Sequence, residues 1–127
     1  MNTEQVWIVD DDSSIRWVLE KAFTKSNITN ASFESASNLL TALDHDQPEV
    51  IISDIRMPDI DGMTLLNSIS KDHPNIPVII MTAHSDLDSA VNAYQGGAFE
   101  YLPKPFDIDD AIALANRALT HAQELKS

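Results

Sequence analysis

At 127 residues and 43% hydrophobic content the chain suits one compact domain with a real core. Twenty acidic residues against eight basic ones give a formal net charge of −12, which disfavours nucleic acid or an anionic membrane as the direct partner, because their phosphates would be repelled. The absence of cysteine rules out a disulfide framework and a thiolate metal site. With neither a leader-like N-terminus nor an apolar run of membrane-spanning length, a soluble cytoplasmic domain is expected.

Strand and helix signals alternate five times. Val6-Trp7-Ile8-Val9 predicts a buried strand and ends in Asp10-Asp11-Asp12. Ser13 and Ser14 offer a helix cap, after which Ile15, Val18, Leu19, Ala22 and Phe23 fall at helical spacing. A more polar strand at 30–34 suits a sheet edge, and Ala36, Leu39, Leu40 and Leu43 stripe the second helix. Val50-Ile51-Ile52 has no polar alternation, the mark of a strand covered on both faces. It gives way to Ser53-Asp54, and Pro58 and Gly62 prevent its continuation. Gly62, Leu65, Leu66 and Ile69 stripe the third helix.

Pro77-Val78-Ile79-Ile80-Met81 predicts the fourth strand, ending at Thr82-Ala83. Leu87, Ala90, Val91 and Tyr94 mark the next helix, which Gly96-Gly97 terminates. Residues 98–102 alternate as an edge strand would and lead into Pro103-Lys104-Pro105. The last helix runs from about Ile108 past Leu119, with Ile112, Ala115 and Leu119 on one face. Alternating units of this kind imply a parallel sheet with helices on both faces.

In a parallel sheet the strand ends share one edge, where ligand chemistry collects. The acid cluster at 10–12, Asp54, Thr82 and Lys104 are therefore expected to converge. Lys104 is the only Lys or Arg between Lys71 and Arg117, with a proline on either side, and suits a counter-charge or an oxyanion contact. Converged aspartates raise one another's pKa, and a hard divalent cation such as Mg²⁺ relieves the repulsion. A carboxylate nucleophile, a metal, a hydroxyl and an ammonium group are the parts of a phosphoryl-transfer site.

Five motifs carry a resemblance over nearly the whole chain: Ile8-Val9-Asp10-Asp11-Asp12, Ser53-Asp54-Ile55-Arg56-Met57-Pro58, Asp61-Gly62, Met81-Thr82-Ala83 and Lys104-Pro105-Phe106. On these the chain resembles the receiver domains of two-component response regulators. The fuller strings at 10–20 and 81–88 are especially similar to nitrogen-regulation activators of the NtrC type. The resemblance implies a flavodoxin-like (CheY-like) doubly wound sheet with strand order 2-1-3-4-5. It implies that Asp54 accepts a phosphoryl group from a sensor histidine kinase with Mg²⁺ bound. Asp54 and Asp11 would ligate the metal with the Arg56 backbone carbonyl, and Asp10 or Asp12 would help through water. Which two of the three consecutive aspartates serve the metal stays open, with Asp10 and Asp11 favoured by ungapped comparison and Asp12 available to the pocket or to a helix cap. Thr82 and Lys104 would contact phosphoryl oxygens, Tyr101 matches the switch aromatic, and the Lys104-Pro105 bond would be cis.

A regulatory domain rather than an enzyme is expected, catalysing only its own phosphorylation and dephosphorylation. The expected response is a change in the face built from the helix after the fourth strand, the fifth strand and the last helix. That leaves room for a phosphorylation-dependent dimer or oligomer. The ATPase and DNA-binding output domains of the NtrC type would lie outside residues 1–127, fused or on another chain. Three rivals fit less well. An aspartyl phosphatase would carry a second acid where Arg56 stands, a flavodoxin would need a hydroxyl-rich phosphate loop in place of three aspartates, and an inactive receiver would lack a site residue. The four histidines are expected at the surface, His84 bordering the pocket, and Trp7 and Trp17 are expected to pack in or against the core.

Overall fold

The computed structural model describes residues 4–57, 60–83, 95 and 97–126. Five parallel strands, β1 (Val6–Val9), β2 (Asn30–Phe33), β3 (Val50–Asp54), β4 (Val78–Ala83) and β5 (Glu100–Lys104), form one sheet in the order β2-β1-β3-β4-β5. The described helices are α1 (Ser13–Lys25), α2 (Ala36–Leu43), α3 (Gly62–Asp72) and α4 (Ile108–Lys126). The helix expected from Leu87, Ala90, Val91 and Tyr94 lies outside the described residues, as do Pro58, Asp59, His84 and Gly96.

The alternation of side chains along each strand explains why the central strands are apolar throughout. Val6, Ile8, Val50, Ile52, Ile79 and Met81 share one core with Leu19 and Phe23 of α1 and Ala111, Ala115 and Ala118 of α4. Trp7, Val9, Ile51, Val78 and Ile80 share the other with Leu39 of α2 and Leu65, Leu66 and Ile69 of α3. Each large side chain fully buried there, Phe23 or Leu65 for example, contributes roughly 1.5–3 kcal/mol of transfer free energy. β2, half-buried at every position, is the edge strand its polarity suggested.

Four local readings change. β5 starts at Glu100 rather than Ala98 and takes in Pro103 and Lys104. An edge strand tolerates a proline because one row of its amides is not needed by a neighbour. Asp12, not Ser13 or Ser14, caps α1: its carboxylate accepts from the Ser14 amide at 2.8 Å, and Ser13 becomes the first helical residue. Trp17 is 60% exposed, off the stripe made by Ile15, Leu19 and Phe23, with the Lys21 ammonium 5.3 Å from its ring. His121 is half-buried and packs on the Phe99 ring at 5.1 Å rather than facing water alone. Trp7, by contrast, is in the core, edge-on to Phe33, with its indole N–H donating to Glu4.

The β3–α3 connection brings two backbones together. Asp61 caps α3 by accepting from the Thr64 amide, a bond that holds its carboxyl below the usual carboxylate range. The Gly62 amide donates to the Ile55 carbonyl at 2.8 Å. A Cβ at Gly62 would meet the Asp54 carbonyl oxygen at 2.4 Å and the Ile55 Cα at 2.6 Å, both backbone atoms. Gly62→Ala should therefore cost about 2 kcal/mol, within the range for overpacking a tight site, despite alanine's better helix propensity. Urea denaturation checks this, and a variant as stable as wild type would contradict the close approach.

Candidate functional site

The carboxyl ends of β1, β3 and β5 meet in one pocket. Asp10, directly after β1, is fully buried. One of its carboxylate oxygens accepts from the Asp12 amide at 2.9 Å and the other from the Lys104 ammonium at 3.0 Å. The Arg16 guanidinium, one turn into α1, donates to the Asp10 backbone carbonyl at 2.6 Å. Asp54 ends β3 with its side chain 13% exposed, and its Oδ1 lies 3.3 Å from the same ammonium. Lys104 thus bridges two carboxylates that arrive from different strands. Its adjoining peptide bond to Pro105 is cis.

Asp11 is exposed, yet one carboxylate oxygen each from Asp10, Asp11 and Asp54 lie within 4.8 Å of one another. Asp12 is turned to the α1 terminus, so among the described residues the acid group that can surround a cation is Asp10, Asp11 and Asp54. Thr82 is buried in β4, one residue beyond the Met81 that pairs with Asp54, and opposite Pro103. Tyr101 is half-buried on β5, and Arg56 is exposed two residues past Asp54.

Burial pushes the Asp10 carboxyl up, against the opposing pull of the Asp12 amide and Lys104. Burial is also the main cause for Asp54, with the Asp10 charge next, and Lys104 only partly offsets them. Desolvation would lower the Lys104 ammonium, but its contacts with Asp10 and Asp54 outweigh it, and the net shift is upward. One cation therefore serves a fully buried carboxylate, a partly buried one and a third acid nearby, leaving an excess of negative charge in the pocket.

The profile of the family described as "Response regulator receiver domain" matches residues 6–116. The chain belongs to this family of receiver domains. It is 61% identical over 126 residues to the DNA-binding transcriptional regulator NtrC of Proteus hauseri, covering 99% of this chain and 27% of that protein. The same regulator of Escherichia coli K12 is 61% identical over 119 residues, covering 94% of this chain and 25% of that protein. The chain thus spans about a quarter of the length of these relatives. The apo receiver domain of nitrogen regulatory protein C superposes with a TM-score of 0.85 at 59% identity, over 97% of this chain and 99% of that one. Its BeF3-activated form superposes at 0.81 with the same identity and coverage.

Of the residues expected at one edge of a parallel sheet, the strand ends bring Asp10, Asp11, Asp54 and Lys104 into contact range, with Thr82 placed beside them by the β4 register. Three contributors were given no role at the site from the sequence. Arg16 reads as an ordinary charged residue on α1, and nothing in its spacing marks a bond to Asp10. Gly62 reads as a strand breaker, a helix start and part of the Asp61-Gly62 motif, but not as the site of a close backbone approach. Ser53 had a visible signal, a hydroxyl between the apolar run Val50-Ile51-Ile52 and Asp54, and it is fully buried.

Proposed function

We propose that Asp54 is the phosphoryl acceptor of this receiver domain, drawing on the phosphohistidine of a sensor histidine kinase. The observation that carries the reading is Lys104 bridging Asp10 and Asp54 while oxygens of Asp10, Asp11 and Asp54 crowd within 4.8 Å. The donor set is all oxygen and its charge exceeds what one ammonium neutralises, which fits a hard divalent cation, Mg²⁺. Asp54, Asp11 and Asp10 would hold it with the Arg56 backbone carbonyl, and Asp12 would stay with α1. When bound, Mg²⁺ supplies positive charge to the phosphoryl oxygens.

The chain's own groups do the rest. A carboxylate oxygen of Asp54 attacks phosphorus and forms an acyl phosphate. The P–N bond to the kinase imidazole breaks, its electron pair staying on that nitrogen, which takes up a proton in the neutral histidine product. Lys104, already on Asp54 Oδ1, would follow the charge onto a phosphoryl oxygen, and the Thr82 hydroxyl would donate to another. Thr82 drawn inward frees space for Tyr101 to repack. That shift would bias the face of β5, α4 and the segment carrying Leu87, Val91 and Tyr94, which lies outside the described residues.

The relatives are named DNA-binding transcriptional regulators, which supports residues 1–127 as a single cytoplasmic receiver whose fused or separate output domains activate transcription in nitrogen regulation. No described helix is long and apolar enough to cross a membrane. The domain's net charge of −12 disfavours direct contact with nucleic acid, and a phosphorylation-dependent dimer or oligomer would be its readout. Radiolabel on a histidine-phosphorylated sensor kinase should pass to the chain in Mg²⁺ and not in EDTA. Label that stays on the kinase in Mg²⁺ would overturn the reading.

Metal binding has its own readout. Mg²⁺ at a hundred times its dissociation constant should stabilise the folded domain by about 2.7 kcal/mol through mass action. Asp11→Ala, which removes an exposed ligand, should lose most of that gain and melt no lower than wild type in EDTA, since it also removes repulsion. Thermal melts with and without Mg²⁺ decide it: an undiminished response in the variant would take Asp11 out of the site.

A further inference from the structure

Three polar or charged residues are buried among the described residues: Asp10, Thr82 and Ser53. The proposed chemistry uses the first two and leaves Ser53 without a role. Its position in β3 puts it between Ile52 and Asp54, paired with Val9 of β1 and Ile80 of β4. Its hydroxyl donates to the Asp54 backbone carbonyl at 2.9 Å. The other half of that peptide is also held, since the Ile55 amide donates to the Met81 carbonyl at 3.1 Å, and the following peptide is held through the Ile55 carbonyl, which accepts from Gly62 at 2.8 Å. Gly62 closes on the Asp54 carbonyl from the helix side, near enough that no Cβ fits. Among these contacts of the described residues around the Asp54–Ile55 link, the Ser53 hydroxyl is the one made by a side chain.

We propose that Ser53 is a positioning residue: it fixes the backbone of Asp54 so that the carboxylate keeps one orientation relative to Lys104 and the acid pair. The inference rests on Asp54 being the phosphoryl acceptor. A buried hydroxyl must find an acceptor, and here that acceptor is the carbonyl of the reacting residue itself. Removing the hydroxyl lets the last residue of β3 sample orientations in which its carboxylate is misaligned with an incoming phosphoryl group, and such reactions are steep in alignment.

The test uses two pairs that differ in the hydroxyl at similar volume, wild type against Ser53→Ala and Ser53→Thr against Ser53→Val. Each is phosphorylated by acetyl phosphate at saturating Mg²⁺, with Asp54→Asn as the blank. Both hydroxyl-free variants should react about three- to tenfold more slowly than their partners, the rate equivalent of one ordinary hydrogen bond. Threonine, which keeps the hydroxyl, should stay near the wild-type rate even if its extra methyl lowers the melting temperature. Equal rates within each pair, with changes in melting temperature only, would make Ser53 purely structural and overturn the inference while leaving Asp54 as acceptor. If wild type takes up no phosphoryl group, or Asp54→Asn takes up as much, the acceptor assignment fails first and the Ser53 inference falls with it.

Discussion

Asp54→Asn is expected to take up no phosphoryl group and, without metal, to be more stable than wild type. The amide keeps the shape of the carboxylate but has no anionic oxygen to attack phosphorus. The stability gain follows from the pocket's charge. Burial and the Asp10 charge raise the Asp54 carboxyl above its unfolded value, so the folded chain holds that proton more tightly than the unfolded chain does. Ionising Asp54 at higher pH therefore costs folding free energy, whereas an amide incurs no such cost. Charges about 4 Å apart repel by roughly 1 kcal/mol in water and about 4 at an effective dielectric of 20, and Lys104 offsets part of this. A net gain of about 1–2 kcal/mol at neutral pH is the expected result. The gain should shrink as pH falls through the raised range and vanish below the ordinary carboxylate pKa. Denaturant midpoints in EDTA across that window check the sign, and a variant less stable than wild type at pH 7 would contradict it.

Lys104→Met should be the most destabilising change in the pocket, by roughly 3 kcal/mol at neutral pH in EDTA. Its ammonium is the shared partner of a fully buried carboxylate and a mostly buried one, and removing one member of such a group leaves uncompensated charge in a low-dielectric site. Methionine replaces most of the apolar stem, so lost packing is a minor part of the change. The deficit, like the gain of Asp54→Asn, should diminish on acidification, although the two act on stability with opposite sign. Asp10 and Asp54 already titrate above the ordinary range, and without the lysine they move higher still. Acidification protonates them first in the folded variant, so the difference from wild type should narrow as pH falls. Combining Lys104→Met with Asp10→Asn should recover part of the loss. A deficit that is constant with pH and unrelieved in the double variant would mean the lysine acts through packing.

The order of elements was legible because each central strand is covered on both faces. Such strands lack polar alternation, and Val50-Ile51-Ile52 and Val78-Ile79-Ile80 stand out by hydropathy alone. Convergence of the site followed from topology: parallel strands place Asp10, Asp54, Thr82 and Lys104 at one edge whatever the side-chain detail. What the sequence concealed was decided by competition between similar groups. Three consecutive aspartates have the same chemistry, and the first turn of α1 takes Asp12 because its carboxylate reaches the Ser14 amide. Trp7 lies on β1, where both faces are covered, whereas Trp17 falls on the outer side of α1, so one is in the core and the other in water. The far end of β5 shifted because alternation at 98–102 does not reveal that Pro103 can occupy an outer edge. Bonds such as Arg16 to the Asp10 carbonyl join a side chain to a backbone atom, and residue identities carry little trace of them.

The measurement that bears most directly on the account is the intact mass of the chain after acetyl phosphate, followed by borohydride reduction and peptide mapping. In Mg²⁺ the expected product is a single acid-stable, base-labile phosphoryl adduct that reduction locates at Asp54, with none formed in EDTA. No adduct in Mg²⁺, or an adduct on His73, His121 or another side chain, would contradict the claim that Asp54 and its acid neighbours form a phosphoryl-acceptor site.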